Sequence, residues 1–220
     1  MVGGFGALLG AQPERGGMGT QMNAALMQDL VGQTLTAPRA AAERLMAMGL
    51  PLQWLWMALA LMCVLNAIVY SISLALVPAV DPVTGAQLVP GMFQSPFVFA
   101  GFLGVALVLT VLMLGWVGRG MGGQAQTGDL LVLIVWMQVL RLGVQLVMLV
   151  VAPVAPVWGA LFIVVASFWG LVILCVFIQA AHRFETVFKA ILVLIVAILA
   201  MAAGLSLVLG AVGTAIPGGS

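Results

Sequence analysis

Apolar residues form five long runs after residue 51, and short stretches with proline, glycine or charged residues separate them. A helix needs roughly 20 apolar residues to cross the hydrocarbon core of a bilayer. We therefore predict one transmembrane helix in each run, at residues 52–77, 97–117, 130–151, 157–179 and 187–212. Prolines stand at or beyond the limits of these runs, where they disturb a helix least. They are Pro51, Pro78, Pro96, Pro153, Pro156 and Pro217.

The stretch before the first run is only moderately apolar and has the features of a helix that lies on a membrane surface. Thr36 can cap a helix entered through a proline, and Arg39 and Glu43 are spaced to pair on one face. Leu45 and its apolar neighbours supply a surface for lipid. We predict an interfacial helix over residues 35–51, and an ordinary solvated helix is the alternative.

These elements define the expected architecture, which is all-α: an integral membrane bundle of five transmembrane helices preceded by a cytoplasmic interfacial helix. Residues 1–34 are predicted to be a flexible or membrane-associated N-terminal segment. The five-helix domain occupies residues 52–212, and residues 213–220 form a C-terminal tail.

Composition supports a membrane protein and argues against other classes. Of the 220 residues, 64% are hydrophobic and 6% charged, whereas about a quarter of a soluble chain is charged. So few charges cannot cover a water-soluble surface. A net charge of +1 without a basic patch argues against a nucleic-acid partner. Cys63 and Cys175 both lie in apolar runs, so we expect neither a disulfide framework nor a metal site.

The lysines and arginines outside the apolar runs, together with Lys189 at the start of the fifth run, all fall on one side of a five-span bundle. They are Arg15, Arg39, Arg44, Arg119, Arg183 and Lys189. Cytoplasmic loops of membrane proteins carry an excess of these residues. We therefore predict a cytoplasmic N-terminus and a C-terminus on the opposite face.

One arginine lies inside a predicted span. Arg141 is roughly 18 Å along the third span from Asp129, near the middle of the membrane, where an arginine costs at least about 2.5 kcal/mol. Gln138, Arg141 and Gln145 share one helical face, and we expect this face to look into the bundle or a wet crevice.

No aspartate or glutamate occurs inside any predicted span, so the partners of Arg141 must be neutral groups of the protein or come from outside it. The neutral candidates in other spans are Asn66, Tyr70, Ser73, Thr110 and Ser167. Two interpretations remain open. In one, Arg141 is hydrogen-bonded across helices and fixes their register. In the other, it binds an anionic group such as a lipid headgroup.

A second polar cluster ends the fourth span. His182 and Glu185 share a helical face next to Arg183, but one imidazole and one carboxylate are too few for a closed metal site. We interpret the three residues as a cytoplasmic polar cap. The glycine-rich stretch 118–128 lacks the ending of a phosphate-binding loop and is interpreted as a flexible turn. No catalytic motif and no cofactor site is recognised.

Three short motifs and the order of the spans together resemble a known family. The motifs are LTAP at residues 35–38, GRGMGGQAQTGDLL at 118–131 and AAHRFETVFKAILV at 180–193. The chain resembles the Yip family of polytopic membrane proteins, named for interaction with Ypt/Rab GTPases, and specifically its bacterial branch. The resemblance implies a bacterial inner-membrane protein without catalytic residues. The acidic N-terminal segment with which eukaryotic relatives contact GTPases is lacking here, so that partner is not carried over.

The leading functional hypothesis is a non-enzymatic inner-membrane protein that organises lipids or partner membrane proteins, as a homo-oligomer or an accessory subunit. The alternative is a small carrier or channel for an anionic or amphipathic solute, which would use a crevice around Arg141.

Overall fold

The computed structural model describes the backbone of residues 24–76 and 95–215. Seven α-helices occupy these ranges: α1 (Ala24–Thr36), α2 (Pro38–Ala47), α3 (Leu52–Leu76), α4 (Pro96–Gly120), α5 (Thr127–Val154), α6 (Pro156–His182) and α7 (Val187–Ala215). The helices α3 to α7 are long and apolar enough to cross a membrane. The prediction of an all-α bundle with five spans is confirmed.

Local sequence explains where several of these helices begin. Pro96 and Pro156 occupy first-turn positions, where the fixed φ of proline suits a helix and its missing N–H is not needed. At the start of α5, the backbone N–H of Gln126 donates to the Asp129 carboxylate over 3.2 Å, and this forms part of a capping box. The single residue Ala155 joins α5 to α6, so these two helices form a tight hairpin.

The helix α1 was not expected, because residues 24–34 fall in the segment assigned to a flexible or membrane-associated N-terminus. Its presence also changes the role of Thr36. This residue ends α1, and its hydroxyl donates to the carbonyl oxygen of Gly32 over 2.9 Å. The prediction that Thr36 caps the next helix is therefore wrong. The N-cap of α2 is Ala37, without a side-chain hydrogen bond.

The helix α2 has the predicted pairing on one face, since Arg39 Nε and Glu43 Oε1 are 3.1 Å apart. Its apolar face does not lie as expected. Ala41 and Ala42 are fully buried and Leu45 is 4% exposed, because α2 packs against α5 and α6. Leu45, which the sequence analysis assigned to a lipid-facing surface, is thus covered by protein, and whether α2 lies at a membrane surface stays a prediction.

Burial along α5 and α6 differs between the two halves of the bundle. In the half next to α1 and α2, the runs 130–134 of α5 and 177–179 of α6 are buried. In the other half no residue of 139–154 is buried, and among 157–172 only Gly159 is. We call these the packed half and the open half. The short helices α1 and α2 supply the additional contacts that make the difference.

Candidate functional site

The polar stripe of α5 begins in the packed half and ends in the open half. Gln138 is 7% exposed, and Gln145 is partly buried. The Oε1 atom of each amide is buried without a hydrogen-bond partner among the described residues. Arg141 lies between them and is exposed. Its guanidinium makes no hydrogen bond or ion pair with any residue that the structure describes.

The position of Arg141 around the helix axis shows what kind of space it faces. With 100° per residue, Arg141 lies within about 20° of Ile134, which is buried, whereas the strongly exposed Val150 lies about 180° from Arg141. Arg141 is thus on the inward side of α5. We infer from its exposure on this side that the open half leaves a crevice between helices there, since the most exposed side of α5 is the opposite one.

Three of the five neutral residues considered as partners of Arg141 make hydrogen bonds within their own helices. Asn66 is fully buried on α3 and donates through Nδ2 to the carbonyl oxygen of Met62 over 2.8 Å, while its Oδ1 has no partner among the described residues. Ser73 donates to the carbonyl oxygen of Val69, and the Thr110 hydroxyl bonds that of Ala106. The structure therefore shows no interhelical hydrogen bond to Arg141 from these residues.

The His182 side chain lies inside the packed half instead of at the surface. It is 1% exposed, its ring stacks on Phe184 with centroids 5.2 Å apart, and Nδ1 is 3.1 Å from the carbonyl oxygen of Ile178. The Leu114 backbone approaches the ring. The other ring nitrogen, Nε2, is buried and has no hydrogen-bond partner among the described residues.

Two glycines, one in the last turn of α4 and one in the turn that follows it, make room for this imidazole. A Cβ atom at Gly118 or at Gly123 would overlap the ring of His182. The turn is held by a hydrogen bond from Gly123 N to Gly118 O of 2.8 Å and one from Gln124 N to His182 O of 3.2 Å. A turn is thus present as interpreted, and Gly118 and Gly123 form a fitted cradle for the imidazole within this stretch.

The three residues of the predicted polar cap do not converge. His182 points into the core, whereas Arg183 and Glu185 are exposed. Arg183 ends α6 with φ 56°, the left-handed conformation that usually favours glycine. Glu185 takes part through its carbonyl oxygen, which accepts from Gln179 Nε2 over 3.5 Å. Among the described residues, no group of three or more His, Cys, Asp or Glu side chains is placed to hold a metal ion.

The fold and its polar residues define a multi-pass helical membrane protein. The Yip1 domain family matches residues 32–208, and the chain therefore belongs to that family. This confirms the resemblance that the three motifs indicated. No curated protein and no solved structure matches the chain significantly.

Proposed function

We propose that this Yip-type protein is not an enzyme and that it organises lipids or partner membrane proteins in a bacterial inner membrane, as a homo-oligomer or an accessory subunit. The observation that carries the proposal is the exposure of α6 in the open half. Residues 160–165 are six consecutive exposed positions, and at 100° per residue they point in all directions around the helix.

This part of α6 presents a large apolar surface that the rest of the chain does not cover. Val164 is 64% and Phe168 68% exposed, and Val157 and Trp158 are exposed still further. In a bilayer, helices associate through close packing and polar contacts, because lipid tails are as apolar as the side chains. An uncovered helix therefore offers a surface for a second helix or for ordered lipid.

Photocrosslinking in native membranes tests this proposal. A photoreactive amino acid at Val164 or Phe168 of α6 is compared with one at Val105 of α4, which is equally exposed on another helix. We expect discrete protein–protein adducts from the two α6 positions and only lipid adducts from Val105. Lipid adducts alone at all three positions, with a monomeric protein in native mass spectrometry, would overturn the proposal.

A carrier or channel is the second candidate, and the inward, exposed position of Arg141 favours it. An unpaired guanidinium in a crevice attracts anions, and the neighbouring Gln138 and Gln145 amides each leave one buried oxygen to receive a donor. An anionic or amphipathic solute would satisfy both kinds of group.

Cysteine accessibility distinguishes the two candidates. Gln138→Cys and Gln145→Cys are labelled with a small charged thiol reagent applied from either side of the membrane, in a chain whose two native cysteines are serine. If the protein is a carrier or channel, the cysteines at both positions should be labelled from both sides of the membrane. A channel allows this in a single state, and a carrier as it alternates between two states. Labelling of Gln145→Cys from one side only, with Gln138→Cys protected, favours the organising role.

A further inference from the structure

A cavity of about 440 Å³ opens at the α1/α2 end of the bundle, between α2, the start of α5 and the end of α6. Four charged side chains line it: Arg39, Glu43, Asp129 and Arg183. Equal numbers of positive and negative groups distinguish this cavity from a simple anion site. It is also separate from the crevice at Arg141.

The four charges do not all neutralise one another. Arg39 and Glu43 form a pair, at 3.1 Å. Asp129 accepts a backbone N–H from Gln126 but has no ion pair with a described residue, and the Arg183 guanidinium makes neither a hydrogen bond nor an ion pair with one. The cavity therefore presents one available cation and one available carboxylate.

A mostly apolar groove adjoins this cavity on the side of the bundle. It has a volume of about 500 Å³, shares Arg39 and Glu43 with the first cavity, and is otherwise lined mostly by apolar groups that include Pro38 and Val176. Val176 is six residues before the end of α6, which places it about 9 Å further along the helix. A charged cavity that opens into an apolar groove has the shape required for an amphiphile.

We propose that the cavity and the groove together bind one phospholipid whose headgroup carries a phosphate and a primary ammonium, as in phosphatidylethanolamine. Arg183 binds the phosphate, because a guanidinium offers paired donors that match its oxygens. Asp129 accepts hydrogen bonds from the ammonium, and the groove holds the upper part of an acyl chain. The inference rests on the proposed lipid-organising function and specifies the lipid class.

The charge pattern selects against the other common headgroups. A choline ammonium has no N–H, so it donates no hydrogen bond to Asp129. The headgroup of phosphatidylglycerol brings a negative charge without a cation, next to Asp129 and Glu43. We expect binding of phosphatidylethanolamine to be about tenfold tighter than binding of either of these lipids, which corresponds to one charged hydrogen bond.

The test uses native mass spectrometry of the purified, delipidated full-length chain titrated with the three lipids, all with the same acyl chains. The main variant is Arg183→Gly, since glycine adopts the left-handed conformation of residue 183 more readily than arginine does and leaves the end of α6 intact. Lys189→Gln is the matched control, because Lys189 is an exposed cation at the same end of the bundle that does not line the cavity. Asp129→Asn tests the ammonium contact.

Arg183→Gly is expected to weaken phosphatidylethanolamine binding about tenfold or more, and Lys189→Gln to leave it unchanged. Asp129→Asn should abolish the preference over phosphatidylcholine while retaining part of the binding. Equal effects of Arg183→Gly and Lys189→Gln, or a wild type without preference among the three lipids, would overturn the proposal. Glycerophosphoethanolamine has no acyl chains. If it binds as tightly as the lipid, the groove does not contribute to binding and the combined site is wrong. Oligomeric state and the α6 adducts are recorded on the same variants. Loss of lipid selectivity with unchanged adducts then contradicts only the lipid site, whereas loss of the adducts contradicts the proposed function.

Discussion

At the scale of single residues, the most closely fitted group of the described structure is the imidazole of His182 in its cradle of two glycines. The ring links the end of α6 to the end of α4 and the turn after it, because His182 is the last residue of α6, Gly118 lies in the last turn of α4 and Gly123 lies between α4 and α5. Stacking on Phe184 closes the remaining side. These two positions therefore require glycine because of their close contact with the imidazole, and not because the chain has to be flexible there.

A methyl group at Gly118 tests this fit. Gly118→Ala places a Cβ atom within the space of the ring, and overpacking of this kind lowers the free energy of unfolding by about 1–3 kcal/mol. Gly120→Ala is the control, because nothing lies within 4 Å of its Cβ position. Equilibrium unfolding in mixed detergent micelles measures both. Combining Gly118→Ala with His182→Ala should recover much of the loss. Equal stability of the two alanine variants would show that the ring does not occupy the cradle.

Substitution of Arg141, unlike that of Gly118, is not expected to destabilise the protein. The Arg141 guanidinium makes no bond with a described residue that a substitution would remove. Arg141→Met keeps the bulk and removes a charge that costs at least about 2.5 kcal/mol at the centre of a bilayer. The free energy of unfolding should therefore stay the same or rise by up to about 2 kcal/mol.

Trp136→Phe on the same helix provides the comparison for Arg141→Met. It loses the hydrogen bond from Trp136 Nε1 to Thr34 Oγ1, which is 2.9 Å long, and should lower the free energy of unfolding by about 1 kcal/mol. If Arg141→Met were destabilising to the same extent, the guanidinium would have an intramolecular partner, and the crevice interpretation would fail.

At the scale of elements, the attachment of α1 depends on one buried hydroxyl. Thr34 Oγ1 donates to the carbonyl oxygen of Leu30 over 2.7 Å and accepts from Trp136. The bond from Trp136 joins α1 to α5 across 102 positions of sequence. An exposed ion pair between Arg44 and Asp29, 2.6 Å long, also joins α1 to α2, but exposed pairs contribute little to stability.

Thr34→Val keeps the shape of this side chain and leaves the indole N–H of Trp136 buried without an acceptor. The loss should be about 1–3 kcal/mol, and amides of α1 should exchange with deuterium faster. Thr36→Val is the matched control two residues further on, because the Thr36 hydroxyl is exposed and bonds only its own helix. Unchanged exchange in Thr34→Val would mean that other contacts attach α1.

The contrast between the spans and α1 shows which elements a sequence can predict. The five spans were predicted with limits close to those observed, because hydropathy alone decides whether a helix crosses a bilayer. The helix α1 was missed because its sequence is only moderately apolar and its anchor is the distant Trp136. The same limit applies to the site. The sequence singled out the glycine-rich turn and His182, but a contact across about 60 residues leaves no local pattern.

At the scale of the whole molecule, the bundle is asymmetric along its long axis. The packed half combines α1, α2, the His182 cradle and the charged cavity, whereas the open half exposes α6 on all sides and leaves the crevice at Arg141. The described lysines and arginines other than Arg141 also lie at the packed end: Arg39, Arg44, Arg119, Arg183 and Lys189. The polar contacts and the charged side chains thus lie at one end of the bundle. Uncovered apolar surface lies towards the other end.

This asymmetry predicts the orientation of the protein in the membrane. An excess of lysine and arginine marks the cytoplasmic side, so the packed end should face the cytoplasm and the open half the opposite surface.

Gln124→Cys and Glu185→Cys place thiols at exposed positions of the packed end, and Phe97→Cys places one at the other end, where Phe97 is 87% exposed. A membrane-impermeant thiol reagent added to intact cells should label Phe97→Cys and not the other two, and permeabilised cells should show labelling at all three. The unmodified chain is the control, since Cys63 and Cys175 are both buried. Labelling of Gln124→Cys in intact cells, with Phe97→Cys protected, would reverse the orientation and place the proposed phospholipid site in the outer leaflet.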